Sequence, residues 1–430
     1  KINTIYLFAS DQEPPHDITD TIYIPQIFKK YLNDLRRHED WSKILDVVEK
    51  PKIRVINKSP ADLDVMNQYY DGFFSELKER DQVHKVYIST TGGTPAMNNM
   101  AWFNGIKYFQ DDVECVYLPY QHRSPKMLNI GKKLVQETYI RSLKENLDVY
   151  EYYAAWYFLE SVAEKFSNKS VFRSVLYLLK YCHQRLSFNF DEAVQSVSEI
   201  ENENAVAPFS DRIYALKDDI YHISEENQTG NESIRDYMLE LYWNTYILYS
   251  KGQYIDACGR LFRFQEQAFN YLITEIFGVR IKDQKYIDSS WISDQTELIK
   301  HLESIKTNGA PLDYKGELNR ALMQHIAEFY IADGGEKYQK TLDTINAFDH
   351  LARIRNKSPM AHGFSGVSEI KMYKAIHPHW KLNDPSLLRT EIFQKMKSIY
   401  TALFGEDRRL EKNIYSEINS TMFELLKELN

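Results

Sequence analysis

Strand-like and helix-like stretches alternate through residues 2–119 of this 430-residue chain, and after about residue 132 the strand patterns stop. That change of pattern limits the chain to an α/β part followed by a helical part. Residues 2–9 read as a buried strand through Ile5, Tyr6, Leu7 and Phe8, and residues 52–57 as a second through Ile53, Val55 and Ile56. Residues 83–89 and 113–119 read as two more. Helical patterns fill the gaps at residues 22–35, from Ser59-Pro60 toward residue 78, and at 96–108. Ser59 is expected to cap and Pro60 to take the first helical position. The order βαβαβαβ implies a parallel sheet with right-handed crossovers and helices on both faces. Ligands of such sheets bind beyond the carboxyl ends of the strands. The turn Ser10-Asp11-Gln12, the loop 90–95 and the loop 120–123 are therefore expected near one crevice.

The remainder reads as helices at 150–166 and 171–186, then a polar stretch at 191–230 expected to connect rather than to fold regularly. Helical character returns at Ile234. Ala257, Leu261, Phe264, Ala268, Leu272 and Ile276 recur at steps of three and four, the spacing of one helix face, and Gly278 stands where that helix would stop. Ile418, Met422, Leu425 and Leu429 repeat the spacing. The expected division is an α/β domain at 1–135, a helical connecting region at 136–235 and a second helical domain at 236–430.

The net charge of −8 argues against a chain coated along its surface with nucleic acid, though not against one local basic site. No run of apolar residues is long enough to cross a membrane, and the chain opens into a strand pattern without a signal peptide, so a cytoplasmic protein with no membrane partner is expected. Cys115, Cys182 and Cys258 lie far apart with no C-x-x-C pair, which reads as reduced, buried thiols rather than a zinc site.

Residues 87–99 read Tyr-Ile-Ser-Thr-Thr-Gly-Gly-Thr-Pro-Ala-Met-Asn-Asn, a strand, a glycine-rich turn, a proline and a helix. Gly92 and Gly93 would let the backbone approach a phosphate or ribose, and Thr90, Thr91 and Thr94 could donate to its oxygens. The helix that follows would turn unpaired N–H groups and a positive dipole end toward the same place. The loop is neither a Walker loop nor a dinucleotide fingerprint, and a tight turn with capping threonines has the same pattern. Strand-end geometry adds Ser10, Asp11, Gln121 and His122 as candidate contacts.

A second cluster lies at residues 351–364, Leu-Ala-Arg-Ile-Arg-Asn-Lys-Ser-Pro-Met-Ala-His-Gly-Phe. His362 titrates near neutrality and could move a proton at a ribose 2′-hydroxyl or at a leaving oxygen. Arg355 stays charged and could stabilise a five-coordinate phosphorus, and no metal is needed if the 2′-hydroxyl attacks its own phosphate. Residues 343–355 read as one helix. Ser358 and Pro359 are then expected to cap and open another with His362 in its first turn, so that the break turns Arg355 and His362 inward and Asn356 holds the break or the arginine. Residues 353–381 hold six Lys or Arg against one acid, Glu369, a balance of +5 in an acidic chain. A solvated basic patch with a structural histidine is the plain alternative. His377-Pro378-His379 lacks the further ligands a metal requires. Glu369-Ile370-Lys371 looks like half of a metal nuclease site, but in a region that reads as helical.

Together, Thr90-Thr91-Gly92-Gly93-Thr94-Pro95 after a strand and Arg355-Asn356 with His362 in the helical part resemble the CARF–HEPN ribonucleases of type III-A CRISPR systems. Gly259-Arg260-Leu261-Phe262-Arg263-Phe264-Gln265-Glu266 also looks like an early helix of that family's nuclease domain. The resemblance implies a Rossmann-like CARF domain that dimerises around one cyclic oligoadenylate, hexa-adenylate by preference and tetra-adenylate next. It implies a HEPN domain whose homodimer forms one composite cleft, with Arg355 and His362 catalytic, Asn356 in support and residues 90–95 on the ligand. The implied activity is metal-independent, ligand-activated cleavage of single-stranded RNA in antiviral defence, leaving a 2′,3′-cyclic phosphate and a 5′-hydroxyl, with no cofactor. Some CARF domains also cut their own activator, and Thr90 or Thr91 would take part here. The Arg–His spacing is at the long end of the family's usual range and Pro359 lies inside it. The alternatives are a ligand-responsive regulator without catalysis and a metal-dependent DNA nuclease using Glu369 and Lys371.

Overall fold

The computed structural model describes the chain outside residues 1, 13–19, 46–50, 81–82, 120–123, 129, 164–167, 201–202, 222, 225–229, 284, 308–309, 360–362, 377–385 and 429–430. The chain divides into two compact units, Lys1–Tyr139 and Ile140–Asn430.

The first unit runs β1 (Tyr6–Ser10), α1 (Tyr23–Leu35), α2 (Glu39–Leu45), β2 (Lys52–Ile56), α3 (Leu63–Lys78), β3 (Val86–Ser89), α4 (Pro95–Phe109), β4 (Val113–Tyr117), β5 (Lys126–Leu128) and the start of α5 (Ile130–Asp148). The expected parallel strands are present: β1 pairs with β2, Tyr6 opposite Lys52, and β3 with β4, Val86 opposite Val113. β5, which no sequence pattern marked, adds an antiparallel edge to β4. Both ladders bury one face in a common core. Ile56, Ile88, Val113 and Cys115 from the strands meet Met66, Tyr70 and Phe74 of α3 and Met97, Ala101 and Phe109 of α4. Phe8 stands edge-on to Phe73 at 5.0 Å, so β1 and α3 lock through aromatic rings. The helix after β2 begins later than Ser59-Pro60 suggests. Asp62 is its cap, accepting from the N–H groups of Asp64 and Val65 at 2.9 and 3.0 Å, because a carboxylate satisfies two orphan donors at once.

The second unit is helical. It comprises the rest of α5, then α6 (Tyr152–Ser161), α7 (Lys169–Leu186), α8 (Phe190–Ile200), α9 (Ser210–Tyr221), α10 (Gly230–Ser250), α11 (Tyr254–Tyr271), α12 (Ser289–Ser293) and α13 (Thr296–Ser304). It continues through α14 (Arg320–Ala332), α15 (Gln339–Asn346), α16 (Asp349–Asn356), α17 (Glu369–Ile376), α18 (Ser386–Phe404) and α19 (Ile414–Lys427), with two short antiparallel ladders between α11 and α14. The polar stretch expected to connect contains α8 and α9. Their buried positions, Ala193, Val197 and Ile200 on one and Ile213, Leu216 and Ile220 on the other, fall at helical steps that the surrounding charge masks. The face predicted for α11 is buried at Ala257, Leu261, Phe264 and Ala268, and Gly278 lies beyond the helix at φ +75°. Leu429 lies outside the described residues. α7, α10 and α19 meet at a buried ion pair: Arg185 Nε donates to Glu240 Oε1 at 2.9 Å, its Nη1 to the Tyr181 hydroxyl at 2.6 Å, and Tyr415 donates to Glu240 Oε2 at 3.3 Å. All three cysteines are buried, which pushes the Cys115 and Cys258 thiols up to about 12. Among the described residues no helix is long and apolar enough to cross a membrane.

Candidate functional site

In the first unit the carboxyl ends of the strands are tied into one edge. The Asp11 N–H donates to the Ile56 carbonyl at 3.0 Å, joining the ends of β1 and β2. The Thr94 hydroxyl donates to the Pro60 carbonyl, joining the turn after β3 to the turn after β2. Thr91 Oγ1 accepts from the Leu118 N–H at 2.7 Å, joining it to the chain after β4. Within the loop, Gly92 at φ +99° and Gly93 at φ +78° take the left-handed conformation that side chains disfavour, and both are exposed. Thr94 caps α4 by accepting from the Met97 N–H at 3.2 Å, and Pro95 opens the helix.

These bonds sort the candidate contacts. The Thr90 hydroxyl donates to the Val116 carbonyl at 3.3 Å and that of Thr94 to Pro60, so both protons are committed. Thr91 only accepts among the described residues and keeps its proton for an outside acceptor. Ser10 is buried and bound to Thr21: Thr21 Oγ1 accepts from its N–H at 3.1 Å, and Ser10 Oγ accepts from the Thr21 N–H at 3.2 Å. Asp11 is exposed beside it. Gln121 and His122 lie outside the described residues.

In the second unit, Arg355 occupies the last turn of α16, half-buried, with its guanidinium 4.7 Å from the centre of the Phe262 ring on α11. Its Nη1 donates to Asn356 Oδ1 at 3.1 Å. Its Nε is buried without a partner, and Arg355 forms no ion pair among the described residues. The helix ends because Ser358 folds back on it, N–H and Oγ both donating to the Arg355 carbonyl at 3.0 and 2.7 Å. Ser358 is thus a C-terminal stop rather than the cap of a following helix: residues 363–368 are not helical, and the next helix is α17. The single helix expected over 343–355 is interrupted at Ala347-Phe348 and forms α15 and α16. His362 lies outside the described residues. The described chain resumes at Gly363, whose N–H donates to the Ser358 carbonyl at 3.2 Å.

Residues 226–379, which include Arg355 and its supports, match the family model of the Csm6 HEPN domain. This segment is similar to Csm6 HEPN domains. The whole chain has the Csm6 fold: it is similar to the solved structure described as Enterococcus italicus Csm6 bound to cyclic hexa-2′-fluoro-hexa-dAMP. The TM-score is 0.64, the identity 14%, and the match covers 99% of this chain and 100% of that one. No curated protein matches the sequence. The architecture is therefore a Rossmann-like α/β unit with parallel strands, followed by a helical region that contains the segment matching the HEPN model.

Within the HEPN domain, α11 and α16 are held together by polar groups that the sequence does not single out. The buried Gln265 amide donates to the Ile345 carbonyl at 3.0 Å and to Asp349 Oδ1 at 2.6 Å. Arg320 on α14 binds the same carboxylate oxygen. Asp349, six residues before Arg355 and on another side of the same helix, is thereby tied to α11 and α14. Phe262 and Gln265 both fall within the string that marked α11, but helical spacing alone does not say which of its residues reach α16. Glu369-Ile370-Lys371 lies in the first turn of α17, where Glu369 Oε1 accepts from the Tyr249 hydroxyl at 2.5 Å and Lys371 Nζ donates to the Gly366 carbonyl at 2.7 Å. Acid and amine are thus engaged by different partners. His377-Pro378-His379 lies outside the described residues.

Proposed function

We propose that the chain is a cyclic-oligoadenylate-activated endoribonuclease that cuts single-stranded RNA without a metal, in CRISPR antiviral defence. Residues 1–135 sense the ligand, 136–235 connect, and 236–430 cleave. The observation that carries this reading is Arg355: a guanidinium with no carboxylate partner among the described residues, seated on an aromatic ring and tethered by Asn356, inside a Csm6-type HEPN segment. A cation held this way is ready for a phosphate, because no ion pair must break first.

The chemistry follows from the residue types. The 2′-hydroxyl attacks the adjacent phosphorus as His362 takes its proton. Arg355 stabilises the charge on the five-coordinate phosphorus. The 5′-oxygen leaves with a proton, giving a 2′,3′-cyclic phosphate and a 5′-hydroxyl. A homodimer that brings two HEPN domains together supplies one histidine as base and another as acid. The activator sits at the strand-end edge of the CARF unit on residues 90–95, with Asp11 beside it. Hexa-adenylate is preferred and tetra-adenylate next; the Enterococcus italicus Csm6 structure carries a cyclic hexanucleotide. Of Thr90 and Thr91, Thr91 has the hydroxyl proton free to act on the activator in a self-limiting cut.

The test is cleavage of a fluorescent single-stranded RNA in EDTA, with and without each cyclic oligoadenylate. Cleavage that appears only with one ring and survives EDTA is the expected result. Cleavage abolished by EDTA would move the activity to a metal nuclease, and tight ligand binding without cleavage would leave a regulator.

A further inference from the structure

Phe364 is 96% exposed, the most exposed large apolar side chain among the described residues. Its position is nevertheless built. On one side of it, the Gly363 N–H donates to the Ser358 carbonyl, and Gly363 packs so tightly on the end of α16 that a Cβ there would overlap the Lys357 carbonyl. On the other, the Ser365 N–H donates to the Lys357 carbonyl at 2.9 Å and Lys371 Nζ binds the Gly366 carbonyl at 2.7 Å. A loop pinned at both ends to the helix that carries Arg355 thus holds one phenyl ring in water.

Positive charge predominates: Arg353, Lys357, Lys371 and Lys374 are exposed on α16, α17 and the turn between, against one acid of the segment, Glu369, which accepts from Tyr249. An apolar ring among cations suits an occupant with flat apolar faces and a negative backbone. Single-stranded nucleic acid binds in this manner, with bases stacking on aromatic side chains while lysines and arginines track the phosphates.

We propose that Phe364 is the base-stacking platform of the nuclease site: it takes the face of a nucleobase next to the scissile phosphate and so sets the register of the RNA strand against Arg355. This rests on the ribonuclease reading above and adds a specificity element to it. Stacking is stronger for purines, so a purine beside the cleavage point is favoured.

The experiment compares full-length wild type with Phe364→Ala, Phe364→Trp and Arg355→Ala. The activator is present, and the probe is a single-stranded RNA with one 2-aminopurine, blocked against cleavage by 2′-O-methyl groups. Cleavage of the unblocked RNA is followed in parallel. Wild type and Phe364→Trp are expected to quench the probe, whereas Phe364→Ala loses the quenching, raises KM about ten-fold and evens out the purine preference. Unchanged quenching and KM in Phe364→Ala, while Arg355→Ala is inactive, would overturn the platform and leave the ribonuclease reading standing. Full activity in Arg355→Ala would sink that reading instead. If Phe364→Ala turns a wild-type dimer into a monomer in light scattering, the ring belongs to a contact between copies and the proposal fails.

Discussion

Arg355 illustrates how a residue becomes available for chemistry through what its neighbours decline to do. The acid of its own helix, Asp349, is six residues away, off the spacing at which helical side chains meet. Here Gln265 and Arg320 occupy Asp349, and Arg355 is left with a ring beneath it and an amide beside it. The planar fork matters as much as the charge. Lysine offers a point charge that neither stacks flat on Phe262 nor donates to Asn356 and a phosphate from fixed directions. Arg355→Lys is therefore expected to lose most of the activity, about 10²-fold or more, and Arg355→Ala to abolish it, with activator affinity unchanged in both. Near wild-type turnover in Arg355→Lys would show that charge alone suffices and that the stacked geometry is incidental.

At the scale of elements, the helices outside the nuclease segment are fastened to it by charge. Glu240 on α10 receives Arg185 from α7 and Tyr415 from α19, and both members of the ion pair are 2% exposed. Glu240→Gln removes the close counter-ion of a buried guanidinium and leaves it only Asp219, 3.9 Å from Nη1, which costs about 3 kcal/mol. A urea midpoint within error of wild type would mean that the pair contributes nothing to holding the helices. The double variant Arg185→Met with Glu240→Leu is expected to regain much of the loss, because neither charge is then stranded. This pair also marks what the sequence hides. The parallel strands, the capped turn at Thr94-Pro95 and the buried face of α11 were legible because each follows from local spacing or local backbone chemistry. Arg185 and Glu240 are far apart in the chain, and each alone looks like a charge on a solvated helix face. The same applies to Gln265 and Asp349. α8 and α9 escaped notice because polar residues flank their apolar steps, and β5 because three residues show no period.

For the molecule as a whole, the proposed function puts sensing and cutting on different residues in different compact units, so they are separable by substitution. Gly93 at φ +78° holds the loop in a conformation that a β-branched residue adopts only under strain, and Gly92 beside it at φ +99° is bound by the same limit. Gly93→Val should reshape the loop where the activator's backbone would approach. The expected result is weaker binding by calorimetry and a rightward shift of the activation curve, about ten-fold or more, with the same maximal rate at saturating ligand. Arg355→Ala should do the reverse, binding activator as wild type does and cutting nothing. A ligand acts on a distant site only through its differential affinity for two states of the molecule. If occupied and empty sensors bias the nuclease differently, RNA bound at the HEPN site must in turn tighten the activator by the same factor. Calorimetry of the activator on Arg355→Ala, with and without saturating uncleaved RNA, reads that factor directly. Equal affinities would mean that the ligand does not control RNA binding and that any activation acts on the chemical step alone.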